Sequence, residues 1–70
     1  MMPLSMARIG EMVSIKKITG RDDVRQHLAE LGFVVGENVA VISVMGENMI
    51  VSIKDSRVAL SLTAAMRIMV

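Results

Sequence analysis

The 70-residue chain has no cysteine, no tryptophan and no tyrosine, and Phe33 is its only phenylalanine. Without cysteine, neither a disulfide nor a thiolate metal site can staple the fold. Without aromatic side chains there is no platform for stacking bases, which single-strand binders and many RNA readers use. The same shortage removes the aromatic-lined groove that recognises proline-rich peptides. Charge is as unhelpful to a polyanion. Eight basic and seven acidic side chains leave a net +1, and the longest basic run is Lys16-Lys17. That run is too short for a phosphate-tracking surface, so nucleic acid is not an expected partner. No apolar stretch reaches the roughly 20 residues that span a bilayer. The N-terminus lacks the charged region and long apolar run of a signal peptide. These absences predict a soluble cytoplasmic protein with no direct membrane insertion.

What the chain does have is aliphatic bulk, with 53 % hydrophobic residues and eight methionines. A chain this short buries only about 60 % of its unfolded surface, so its core must be efficient. Branched aliphatics and methionines are expected to fill it. Thioethers can bind copper(I), but methionine also fills irregular gaps in cores poor in aromatics. Met45 and Met49 flank a turn, and Met66 and Met69 sit in a segment expected to be a buried edge. Core filling is the better reading of them.

The most informative stretch runs from Asp23 to Gly36. Asp23 can serve as N-cap, with Gln26 three positions on to complete a capping box. Val24, Leu28 and Leu31 share one helical face. Gly32 suits the left-handed position after the last turn, and Phe33 can then pack back on Leu28. The prediction is a short helix over Asp23 to Leu31, docked by one stripe and followed directly by a strand.

Around it the alternation is that of strands. Leu4 is placed to cover one end of the core. Val13 and Ile15 alternate with Ser14 and Lys16, and the pattern slips at Lys17-Ile18, where a bulge or strong bend is expected. Val39 to Met45, Met49 to Lys54 and Val58 to Leu62 follow, joined by a turn at Gly46-Glu47-Asn48 and a tight hairpin at Asp55-Ser56. Thr63-Ala64-Ala65 reads as a helical turn capped by Thr63, and Met66 to Val70 as a last strand. The expected fold is mainly β: a small barrel or half-barrel of about five antiparallel strands, with one short α-helix after the first strand. Closure would hide the edges of such short strands.

Little in the chain points to catalysis. There is no nucleophile elbow, the one histidine has no evident nucleophile to serve, and the glycines form neither a phosphate loop nor a dinucleotide fingerprint. An enzyme is not expected. That histidine, His27, shares a helical face with Asp23 and Glu30. One imidazole and two carboxylates are a plausible ligand set for a divalent transition metal such as Fe(II) or Zn(II). The simpler reading is a solvated face, and binding there would be weak without supporting groups around the ligands.

A stronger functional signal is apolar surface beyond what a small sheet can bury. Val39 to Val44 offers only Ser43 as a polar residue, and the excess must meet the helix, a second copy of the chain or another protein. Gly32 and Gly36 bracket Phe33, Val34 and Val35 in a short connection where polar residues would be usual. With Leu31, these residues form the candidate partner-binding site.

Several motifs resemble the ferrous iron transport protein A (FeoA) family. They are Leu4…Gly10, Arg25-x-x-Leu28-Ala29-Glu30-Leu31-Gly32-x-x-x-Gly36, Arg57-Val58-Ala59-Leu60 and Ala65-x-x-Ile68-x-Val70. The resemblance runs from Pro3 to Val70, and its distinctive part is the helix-to-glycine segment. It implies one FeoA-like domain over residues 1–70 with an SH3-like barrel. It implies a cytoplasmic accessory role in Fe(II) uptake, through the cytoplasmic GTPase-bearing part of the bacterial ferrous iron transporter (FeoB). A related domain ends metal-dependent repressors, which makes an iron-responsive metal-binding module the alternative. Two departures fall in loops: Val35 stands where the family usually has proline, and the Gly46-Glu47-Asn48 turn is short and lacks proline.

Overall fold

Two tight turns organise the centre of the computed structural model, which describes residues Met1–Val70. Strands β3 (Asn38–Met45), β4 (Asn48–Ile53) and β5 (Ser56–Ser61) form an antiparallel meander. Gly46-Glu47 closes the first hairpin between paired Met45 and Asn48, with Gly46 at φ 59°. Lys54-Asp55 closes the second between paired Ile53 and Ser56, with Lys54 at φ 53°. Met49, Val51 and Ile53 of β4 point into the core and alternate with Asn48, Ile50 and Ser52.

A bulge interrupts the apolar run of β3, whose second half, Ile42, Val44 and Met45, stays exposed. The register shifts between Val41, opposite Val51, and Ser43, opposite Ile50, so Ile42 is the extra residue. An inserted residue reverses the parity of a strand. Val39 and Val41 therefore face inward before the bulge, and Val44, opposite buried Met49, shares that face after it. Ser43 is turned to the other face.

The N-terminal strand divides between two sheets. β1 (Met12–Ser14) pairs antiparallel with β3, giving a four-stranded sheet of order β1-β3-β4-β5. Three residues later β2 (Lys17–Ile18) pairs with β6 (Ile68–Met69) in a separate two-stranded sheet. The slip in alternation at Lys17-Ile18 is thus a crossing between sheets. Ile15 is buried at the corner; its N–H donates to the Glu37 carbonyl and its carbonyl accepts from Gly36 N–H, both at 2.9 Å.

This arrangement corrects the expected SH3-like barrel of about five strands. The protein has a mixed α/β fold with two sheets, and neither closes: β1 and β5 remain the edges of the larger one. Closure would need β5 or the last strand to meet β1. Instead α2 (Leu62–Ala65) carries the chain away after β5, and β6 is hydrogen-bonded to β2. Beside β6, Met2 and Val70 exchange backbone hydrogen bonds of 2.9 and 2.7 Å.

Both helices begin one or two residues earlier than predicted. α1 spans Asp22–Glu30, with Arg21 at the N-cap position and no side-chain cap. Asp23 is therefore in the first turn, where its charge and that of Asp22 favour the helix dipole. The turn at Gly20, with φ 108°, brings the chain into helical geometry ahead of Asp23. In α2 the cap is Ser61, not Thr63: the Ser61 hydroxyl accepts from Ala64 N–H at 3.1 Å. A short 3-10 turn over Leu4–Met6 puts Leu4 in the core, as expected.

The core is aliphatic around Phe33, Leu28, Ile15, Ile68 and the valines of β3 and β4, and it contains no polar side chain. Methionine is not its filler. Met49 alone is fully buried, whereas Met1, Met6, Met12, Met45 and Met66 are exposed. Their positions follow strand and loop register, and six β-branched residues, Ile15, Val39, Val41, Val51, Ile53 and Ile68, fill the space instead.

Candidate functional site

The exit from α1 is built by two successive backbone devices. Gly32 has φ 104°; its N–H donates to the Ala29 carbonyl and Phe33 N–H to the Leu28 carbonyl, each at 3.0 Å. These are the paired bonds of a Schellman ending. The second device follows at once. Glu37 N–H donates to the Val34 carbonyl at 3.1 Å and Gly36 has φ 94°, as a type II turn requires of its third residue. Val34 and Val35 are thereby held between a capped helix and a strand whose start is tied to Ile15.

The two devices sort the predicted partner residues. Phe33 is fully buried and serves the core. Leu31, Val34 and Val35 face solvent, at 37 %, 42 % and 65 % exposure. The surface available to a partner is therefore these three side chains.

An open groove of about 600 Å³ runs alongside. One side comes from β2 and the turn after it, Lys16 to Gly20; α1 contributes Arg25 and Ala29, and the exit contributes Phe33, Val34 and Val35. Sequence reasoning missed this groove. Lys16-Lys17 is too short a basic run to stand out, and nothing local indicates that Arg25 and Val35 share a cleft with it.

The Asp23, His27 and Glu30 face lies on the exposed side of α1. The Asp23 carboxylate is 3.7 Å from the Arg21 guanidinium, with both side chains well exposed. No group of three or more His, Cys, Asp or Glu side chains comes together in a way that could hold a metal ion. The three side-chain hydrogen bonds join Thr19 to Arg67, Arg25 to Asp22 and Ser61 to Ala64; none links a nucleophile to a base. No helix is long and apolar enough to cross a membrane.

Comparison with known proteins gives a consistent result. Residues 2–70 match the family model described as the FeoA domain. A Methanocaldococcus jannaschii protein, named as a candidate Fe(2+) transport protein A, is 37 % identical over 70 residues, covering 100 % of this chain and 85 % of its own. The crystal structure of an iron uptake regulatory protein (FeoA) superposes with a TM-score of 0.88 at 30 % identity, over 96 % of this chain and 89 % of that one. Stenotrophomonas maltophilia FeoA complexed with zinc superposes with a TM-score of 0.73 at 31 % identity, over 99 % of this chain and 88 % of that one.

Proposed function

Because the chain belongs to the FeoA family, we propose that it is a non-catalytic accessory factor of Fe(II) uptake, acting on the cytoplasmic GTPase-bearing part of the ferrous iron transporter FeoB. In this reading residues 1–70 work as one FeoA-like interaction domain. The observation that carries the contact surface is the exposure of Val34 and Val35 on a connection fixed at both ends. Apolar side chains held rigidly in solvent lose little freedom when covered, which is what a preorganised anchor requires. Leu31, on the preceding turn, extends the same anchor.

Replacing Val34 or Val35 with serine tests this. The expected result is loss of Fe(II)-uptake complementation with an unchanged melting temperature. Equal loss of stability and activity would mean that these residues only cover the end of the core, and unchanged activity would discard the surface.

A zinc-complexed relative favours a second reading, a metal-responsive module. The donor set of this chain fits it poorly. Asp23, His27 and Glu30 are exposed on one helix and do not form a three-ligand site. Weak association with Fe(II) or Zn(II) on that face is the extent of metal binding we assign.

A further inference from the structure

We infer that the groove between β2 and α1 takes an acidic, amphipathic segment of the partner protein; the inference rests on the partner-binding reading above and adds the chemistry of what binds. Three features of the groove lead to this occupant.

The first is uncompensated charge. Lys16 and Lys17 enter from the β2 side and Arg25 from α1, and no carboxylate lines the groove. The molecule holds only two ion pairs, Arg21 with Asp23 and Arg25 with Asp22. Lys16 and Lys17 therefore have no acidic partner, and Arg25 has one at 3.4 Å whose side chain is fully exposed. Arg67 adds a further cation at the rim, its Cδ 3.4 Å from where a Cβ on Gly20 would lie.

The second feature is apolar lining between those cations, from Ile18, Val34 and Val35. A partner must present apolar side chains to Val34 and Val35 and carboxylates to the lysines at once. Acidic residues interleaved with aliphatic ones do both. Charge complementarity then sets encounter and orientation, while the apolar contacts hold the complex.

The third is openness. Small ligands are held in cavities that enclose most of their surface and aim fixed polar groups at them. Here the groove is open to solvent, and no buried polar side chain exists anywhere in the molecule. A free anion would find only exposed lysine and arginine side chains, none of them buried. Nucleic acid fits no better, because the sole aromatic ring, Phe33, is fully buried and cannot stack a base.

The test uses the full chain, a fluorescent synthetic peptide of alternating glutamate and leucine, and the cytoplasmic region of FeoB. The peptide is expected to bind and to shift the amide resonances of Lys16 to Gly20, Arg25, Val34 and Val35. The Lys16→Glu/Lys17→Glu variant should bind it about tenfold more weakly, and added salt should weaken the wild type in the same direction. Arg8→Glu, outside the groove, should leave affinity unchanged. Equal affinity of the double variant, stronger binding of a lysine–leucine peptide, or shifts confined to another face would overturn the inference. So would an oligonucleotide or a second copy of the chain occupying the groove in preference to the peptide.

The FeoB region separates this inference from the reading beneath it. If Lys16→Glu/Lys17→Glu binds that region normally while Val34→Ser does not, the acidic occupant is wrong and the partner stands. If wild type ignores that region yet binds the acidic peptide in the groove, the partner is wrong and the groove chemistry stands.

Discussion

Phe33 N–H donates to the Leu28 carbonyl at 3.0 Å, and the side chains of both residues lie in the core. One pair thus ends the helix and docks it. The bond reverses the chain within two residues of the last turn, which places Val34 and Val35 outside while their neighbour is inside.

That reversal depends on Gly32. Gly32→Ala should cost about 1 kcal/mol or more, since a Cβ is disfavoured at φ 104°. A Cβ there would meet nothing nearer than Ile53 Cδ1 at 3.9 Å, so the cost is conformational and not steric. Urea denaturation measures it, and a neutral result would mean that the ending tolerates a side chain.

Val35→Pro should stabilise the protein by about 0.5–1 kcal/mol. Val35 is the second residue of the Val34–Glu37 turn, where proline is favoured, and its N–H makes no backbone hydrogen bond. A rise in melting temperature confirms the geometry; a fall would show that the position cannot accept a fixed φ.

Lys54→Gly should also stabilise, by roughly 0.5–1 kcal/mol. Lys54 is the only non-glycine residue at positive φ, and it turns the β4–β5 hairpin. Thermal unfolding of this variant beside wild type decides the matter, and a loss of stability would mean that the lysine side chain makes a compensating contact.

Calorimetry with Fe(II) and Zn(II) should show micromolar affinity at best, abolished by His27→Ala. Exposed ligands on a single helix lack the surrounding hydrogen bonds that orient a tight site. Nanomolar binding would raise the metal-responsive reading above the partner-binding one.

Much of this molecule is written locally. The helix and its glycine stop, the turn at Gly46, the inward set of β4 and β5 and the burial of Leu4 all follow from patterns a few residues long. The second hairpin turns at Lys54-Asp55, one residue before the expected Asp55-Ser56. The errors share a cause as well. Asp23 has the chemistry of a cap, but Gly20 starts the helix sooner. The methionines have the flexibility to fill a core, yet all but Met49 fall where the register leaves them partly or fully exposed. In β3 the extra residue at Ile42 puts Val44 on the face of Met49, yet Ile42 and Val44 both stay exposed, so part of the apolar surplus remains on the surface.

The candidate site divides the same way. The apolar pair at Val34 and Val35 stands out in the sequence because two glycines bracket it. Lys16, Lys17 and Arg25 do not, because their meaning lies in sharing one cleft without a carboxylate.

By itself the sequence determined which strands and helices form and in what order, and the inward set of β4, since periodicity and turn chemistry act over neighbouring residues. Only the tertiary structure decided which strands pair. Backbone hydrogen bonds are the same for every residue, so no side chain of Lys17-Ile18 specifies β6 as its partner. That pairing left the larger sheet open and set two lysines across from Arg25, making a groove of residues the sequence keeps apart.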